Sequence, residues 1–255
     1  MQITERDFEI INFVLAMKFS SIQSIHQKFF KRKKDGSTSD NEWYARERLR
    51  QLIEMGYIST VRYRFEQKNY YIATKHGYDL IYYMLPTATP AKPIQQIDVR
   101  TFDHDIQVMK SRLLLEDFEN ITSWQSDRQL KCQYPEYFEA RGSRDAAPDG
   151  VYNSASGKVI AFEYEIAQKS KKRYIDKIHK YVSCIRNKTS LDGPKYDLVR
   201  FVCEKECVFK TLVEMTSIYK QYFVIERSEG FFDQHRVRAA DHNQVLRCEQ
   251  LLQMQ

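Results

Sequence analysis

Asp149, Glu163 and Glu165 are the residues of this 255-residue chain whose types and spacing could do chemistry. Asp149 lies in Ala147-Pro148-Asp149-Gly150, and a short gap separates it from Val159-Ile160-Ala161-Phe162-Glu163-Tyr164-Glu165. The pattern predicts a strand from Gly150 to Asn153, a turn at Ser154 to Gly157 and a returning strand from Lys158 to Ile166. Side chains on a strand repeat direction every second residue, so Glu163 and Glu165 share a face, and the hairpin brings Asp149 near them. Hard divalent cations such as Mg²⁺ or Mn²⁺ take oxygen ligands and keep several waters. Two or three converging carboxylates therefore suffice for a phosphodiester-cleaving centre. A solvated acidic face is the plainer alternative.

The bulk properties fit a folded protein with an anionic partner. Apolar residues at 42% and charged residues at 29% are ordinary for a globular chain, so a real core is expected. A net charge of +6 favours an anionic partner without identifying it. No apolar run approaches the roughly 20 residues of a membrane span. The start Met1-Gln2-Ile3-Thr4-Glu5 lacks a signal-peptide pattern, so a cytoplasmic protein without a membrane span is expected. The cysteines, five in number and without CxxC spacing, are expected to be reduced thiols. Cys203 and Cys207, with His235 and His242 so loosely spaced, do not make a zinc pattern.

The elements ahead of the acids read as a DNA-reading module. Phe8, Ile11, Leu15 and Phe19 recur at helical spacing after Thr4, a candidate N-cap, and Ile22, Ile25 and Phe29 mark a second helix. A basic, turn-rich loop, Lys31 to Ser39, follows. Ser39 and Glu42 have capping-box spacing, which predicts a third helix from there to Met55. Its apolar stripe is Ala45, Leu49, Leu52 and Ile53, leaving Trp43, Arg46, Glu47 and Arg50 on the face that could enter a major groove. The alternation in Ile58 to Phe65, the turn Gln67-Lys68-Asn69 and the return through Tyr70 to Thr74 predict a two-stranded wing. Arg62 and Arg64 are expected on its solvent side and Lys68 at its tip, where phosphates would be met. Three helices and a hairpin form the winged variant of the helix-turn-helix, which also serves as a protein-docking module. The coincidence of a basic loop, an arginine-bearing third helix and a basic wing favours double-stranded DNA. This domain is expected over 1–85, with a proline-rich linker over 86–97 that begins at Pro86.

The remainder reads as a mixed αβ domain over 98–230, followed by a polar tail over 231–255. A helix from about Asp103 to Phe118 carries His104 and Glu116. Then come a strand from Ser123 to Lys131, the acidic hairpin, a helix from Ser170 to Arg186, and a strand from Tyr196 to Cys203. A helix from Glu206 to Tyr219 and a strand from Tyr222 to Glu226 complete the order, which suits a mixed sheet flanked by helices. The fold class is thus α+β in two domains.

A helix, a strand, a hairpin bearing Pro148-Asp149 and then Glu163-Tyr164-Glu165, and a helix are together similar to the PD-(D/E)xK restriction-endonuclease-like core. The finer pattern adds His104-Asp105-Ile106, Trp124 with Asp127-Arg128, and Arg173-Tyr174-x-x-Lys177-Ile178-x-Lys180-Tyr181. With the winged helix and the proline linker, it resembles the replication-relaxation family, and within it the MobC-type plasmid mobilisation relaxases. The resemblance implies a metal-dependent nick at an origin of transfer. It also implies duplex DNA with a locally melted or single-stranded nick region, a mobilisation accessory or coupling protein as a further partner, and a possible homodimer. One departure stands out: the nuclease motif most often ends in lysine two residues after its glutamate, and this chain has Glu165 there. In nucleases of this fold the lysine can migrate to the following helix. Tyr174, Ile178 and Tyr181 form the buried stripe of that helix, and Lys177 lies about 60° from it, at the rim. Lys177 is therefore the first candidate for the missing cation, and Lys169 the second. None of the six histidines lies two positions from another, which argues against the tyrosine-nucleophile mechanism of common conjugative relaxases. A non-catalytic DNA-binding regulator with a degenerate nuclease domain is the alternative function.

Overall fold

In a computed structural model of the chain, residues 2–32, 37–85, 89–139, 147–187 and 193–235 are described. Lys33 to Gly36 of the basic loop, Pro86 to Ala88 of the proline segment and the tail beyond residue 235 lie outside them. The chain divides into two compact units: Met1–Leu113 with Gln125–Arg141, and Leu114–Trp124 with Gly142–Gln255. Among the described residues no helix is long and apolar enough to cross a membrane, and Cys132, Cys184, Cys203 and Cys207 are free thiols.

The first unit is built on α1 (Glu5–Met17), whose Ile10, Ile11, Val14 and Leu15 are sealed in its core. Asp7 in its first turn accepts from the Thr4 amide at 2.7 Å and hydroxyl at 2.6 Å, which fixes the helix start. α2 (Ile22–Phe29) starts at Ser21, whose hydroxyl accepts from the Ser24 amide at 3.1 Å. α3 (Trp43–Glu54) buries Ala45, Leu49 and Leu52 completely. It begins later than the Ser39 capping pattern predicts. Asn41 Oδ1 accepts from the Trp43 amide at 2.9 Å, and the Ser39 hydroxyl instead accepts from the Asn41 amide at 3.3 Å. This Asx turn delays the helix. Ile53, expected in the apolar stripe, is exposed because it lies about 80° round the helix from Ala45.

β1 (Ile58–Tyr63) and β2 (Lys68–Ala73) pair antiparallel, from Ile58 opposite Ala73 to Tyr63 opposite Lys68. The turn is therefore Arg64 to Gln67, and Lys68 opens the second strand instead of capping the tip. α4 (Lys75–Met84) follows, with the Thr74 hydroxyl accepting from the Gly77 amide at 3.1 Å. α5 (Phe102–Phe118) begins in this unit, and α6 (Asp127–Gln133) and α7 (Pro135–Glu139) complete it. The Asp127-Arg128 motif serves this packing. Arg128 donates to the carbonyl of Leu15 at 2.8 Å, close to the C-terminal end of α1, and to that of Lys92. Asp105 of the His-Asp-Ile motif also closes the unit, accepting from Lys18 at 2.5 Å and Thr101 at 2.9 Å.

The second unit holds a five-stranded sheet in the order β3-β4-β5-β6-β7. Its strands are β3 (Thr122–Ser126), β4 (Gly150–Asn153), β5 (Val159–Glu165), β6 (Leu198–Cys203) and β7 (Phe223–Arg227). β4 and β5 form the expected antiparallel hairpin, with Gly150 opposite Phe162. β5, β6 and β7 run parallel, joined through α8 (Lys171–Arg186) and α9 (Glu206–Met215). β3 is shorter than the strand predicted to reach Lys131. The chain turns at Ser126, which forms a capping box with Gln129 and starts α6. α9 likewise stops at Met215, and a 3-10 segment covers Ser217–Tyr222. Residues 228–235 are helical and add buried Phe231 and His235 to this core.

Candidate active site

Glu163 and Glu165 sit at the C-terminal end of a central strand, with parallel β6 on one side and antiparallel β4 on the other. That end of a parallel strand is where open αβ sheets bind ligands. Both are buried, at 2% and 1% exposure. Such burial is costly for a carboxylate unless it is paired. The alternate residues of β5 face the other way: Phe162 packs on Trp124 and Phe231 with ring centroids 5.6 and 6.3 Å apart.

α8 supplies the pairing. Tyr174, Ile178 and Tyr181 form its buried stripe, as the periodicity predicts. From the rim of that stripe Lys177 Nζ reaches Glu163 Oε2 at 2.7 Å and Glu165 Oε1 at 3.0 Å. Tyr181 donates its hydroxyl to Glu163 Oε1. Lys169, just past the strand end, lies 2.9 Å from the Glu165 carboxylate. Both candidate lysines thus meet the acids, and Lys177 alone of the two touches both glutamates.

Asp149 enters from the neighbouring strand. Its Oδ2 accepts from the Tyr164 amide at 2.8 Å, a bond that pins the head of β4 beside the two glutamates. Gly150 is required next to it, because a Cβ there would fall on the Trp124 ring. Trp124 in turn stacks with Tyr152 at 5.9 Å and an interplanar angle of 4°. The motif tryptophan and the Pro-Asp-Gly turn are therefore one packing unit.

Three carboxylates against two ammonium groups leave an excess of negative charge. Burial pushes the Glu163 carboxyl up to about 7, with Asp149 and Glu165 adding to the rise against the pull of Lys177. For Lys177, burial opposes its charge, but Glu163, Glu165 and Asp149 hold it well above the ordinary lysine range. Burial and the charge on Glu163 raise the Tyr181 hydroxyl far above the usual tyrosine value, so it stays a donor. Among the described residues no three His, Cys, Asp or Glu side chains converge to hold a metal in this arrangement. The ammonium of Lys177 lies against both glutamates instead. The donor chemistry nevertheless suits a hard divalent cation: carboxylate oxygens, buried, with charge left to neutralise.

Comparison with known proteins gives the chain its family. The sequence model of one family, replication-relaxation, matches residues 12–196, which include Asp149, both glutamates and both lysines. The chain belongs to the replication-relaxation family. Membership points to DNA and to a role in plasmid replication or mobilisation. No curated protein and no solved structure matches the chain.

In this replication-relaxation protein the residues expected to meet DNA lie in the first unit, away from its buried stripe. Trp43 is 58% exposed, and Arg46 and Arg50 are exposed on the same helix. Both arginines lean on acids of their own helix, Arg46 on Glu42 at 2.5 Å and Arg50 on Glu47 at 2.7 Å and on Glu54. Exposed pairs of this kind are worth roughly 0–1 kcal/mol, so a phosphate or base edge can displace them. Arg62 and Arg64 are exposed and have no ion-pair partner among the described residues. Lys68 lies 3.2 Å from Glu66.

Two features go beyond the sequence reading of this family member. Tyr181 reads as core and is core, yet its hydroxyl is also a ligand of Glu163. Arg200 interrupts the apolar run of β6 and binds Glu119 at 2.8 Å and Glu226 at 2.5 Å, with His235 Nε2 3.1 Å from the same Glu119. A lone arginine in an otherwise apolar strand was the available signal for such a buried network.

Proposed function

We propose that this protein is a metal-dependent, strand-specific DNA nicking endonuclease, a MobC-type relaxase acting at a plasmid origin of transfer. Lys177 carries the reading. A lysine from the following helix, 2.7 and 3.0 Å from two buried glutamates, stands in for the lysine that the Glu-x-Glu motif lacks. In this reading the second unit is a restriction-endonuclease-like core, and α1 to α3 with the β1–β2 hairpin are a winged helix-turn-helix that holds duplex DNA. Asp149, Glu163 and Glu165 would hold Mg²⁺ or Mn²⁺, which when bound polarises the phosphate and acidifies water. Asp149 ties the two strands of the centre through the Tyr164 amide. Tyr181 orients Glu163 by hydrogen bonding. Lys177, with its charge secured by its neighbours, neutralises negative charge growing on the scissile phosphate. Lys169 keeps Glu165 in place at the strand end.

The test is supercoiled plasmid carrying the cognate origin, incubated with the full chain with and without Mn²⁺. Open circles are expected only with the metal. Asp149→Ala and Glu163→Ala should each slow nicking more than about 100-fold, beyond the loss of an outer-shell partner, while DNA binding survives. Metal-dependent nicking retained in either variant sinks the site assignment. One observation favours the second reading, a non-catalytic DNA-binding regulator: Lys169 and Lys177 are both engaged in ion pairs with the glutamates. Tight origin binding with no open circles under any divalent cation would select it.

A further inference from the structure

Phe65 projects from the β1–β2 turn with 74% of its surface exposed. Its neighbours in the turn, Arg64, Glu66, Gln67 and Lys68, are exposed polar residues, so the ring is an isolated apolar point and not part of an apolar patch. The setting is cationic. Arg62 and Arg64 flank the ring without ion-pair partners among the described residues. The acid of the turn, Glu66, is taken up by the Tyr70 hydroxyl at 2.9 Å and by Lys68 at 3.2 Å.

The turn has a stiff base. The Tyr63 ring lies 5.6 Å from Phe65 and stacks on Phe102 at 3.8 Å, and Phe102 stacks on Phe19 at 5.4 Å. Tyr70 closes this column edge-on to Phe19 and Phe102 at 5.3 and 5.4 Å. A buried stack of rings thus anchors the strand end from which the exposed ring projects.

We propose that Phe65 is a wedge that enters between adjacent base pairs of duplex DNA while Arg62 and Arg64 take the flanking phosphates. The inference rests on the reading that this hairpin meets duplex DNA, and it assigns a base-unstacking step to a residue outside the acidic centre. Apolar side chains so placed unstack a base step and bend the duplex in architectural DNA-binding proteins. In the proposed function such local opening would present one strand, and not a regular duplex, for nicking. A protein partner is the less fitting occupant, since a single exposed ring offers it little apolar area.

The experiment uses the full chain, without divalent cations, on relaxed closed-circular plasmid treated with a metal-independent topoisomerase. Occupancy is matched by filter binding. Wild type should leave the plasmid negatively supercoiled after protein removal, because unwinding by the bound protein is fixed as a change in linking number. Phe65→Ala should lose more than half of that change at equal occupancy, whereas Phe65→Leu, still an apolar wedge, keeps it. An equal change with Phe65→Ala, or none with bound wild type, overturns the wedge while leaving duplex binding intact. Failure of wild type to bind duplex at all overturns both the wedge and the reading beneath it.

Discussion

Lys177 is held by two carboxylates, and this fixes what its replacement does. Removing one partner of a buried ion pair costs about 3–5 kcal/mol because the remaining charges lose compensation. Lys177→Ala should therefore stop single-turnover nicking and also lower the urea midpoint. Lys177→Arg keeps the charge with a different donor geometry, so partial activity and near-parental stability are expected. If Lys177→Ala cleaves at the parental rate and Lys169→Ala does not, the working cation is at the strand end. Glu163 adds a pH signature. Its folded-state carboxyl lies near 7, above the ordinary 4.5. The sign is that of a raised acid: its contribution to stability is full below about pH 4.5 and is lost as the pH rises through about 7. Without divalent cations, stability should thus fall between about pH 4.5 and 7. Urea midpoints of the parent and of Glu163→Gln check this, since the variant should lack that part of the fall. A parallel pH dependence in both would show that Glu163 is ionised throughout.

The elements repeat this dependence on a few contacts. Gly150→Ala places a methyl group on the Trp124 ring, in a segment whose Asp149 bond to Tyr164 holds the centre together. A loss of about 1–3 kcal/mol is expected, as for other overpacked cores, with nicking reduced although no acid has changed. Thermal melts and nicking assays on one preparation test it, and parental values in both would separate the turn from the centre. The hairpin was legible because Gly157, at φ 78°, marks its turn and the strand period of two puts Glu163 and Glu165 together. Lys177 was legible from the resemblance to a nuclease motif whose lysine can move to the following helix, with helical geometry placing it at the rim of the buried stripe. The Tyr181 bond to Glu163 was not, because an aromatic residue in an apolar stripe reads as packing, and its hydroxyl partner is set by how α8 lies on β5. Two misread elements did carry local signals: Ser126 and Gln129 have capping-box spacing, and Asn41 marks a turn. At Ser39 the capping-box spacing with Glu42 was present, but the Asn41 turn won.

Across the whole molecule, the two charge systems should act differently on DNA affinity. The chain carries a net charge of +6, yet the acidic centre of the second unit is locally negative, while Arg62 and Arg64 of the first are exposed and unpaired among the described residues. Phosphate contacts release counterions, so each one lost should reduce the slope of log affinity against log salt by about one. Arg62→Ala and Arg64→Ala are therefore expected to weaken binding evenly across sequences and to flatten that slope. Arg46→Ala and Arg50→Ala should instead cost roughly 1–3 kcal/mol on the cognate site wherever one of them reads a base edge with two hydrogen bonds. Their ion pairs with Glu42, Glu47 and Glu54 are surface pairs and offset little of that loss. Glu163→Gln removes a negative charge from the acidic centre, so under the proposed function it should leave affinity unchanged or raise it while nicking is lost. Fluorescence anisotropy on cognate and scrambled duplexes over a salt series separates the three classes. Binding unchanged in all four arginine variants would mean that the first unit docks protein, and weaker binding by Glu163→Gln would overturn the view that its charge opposes DNA.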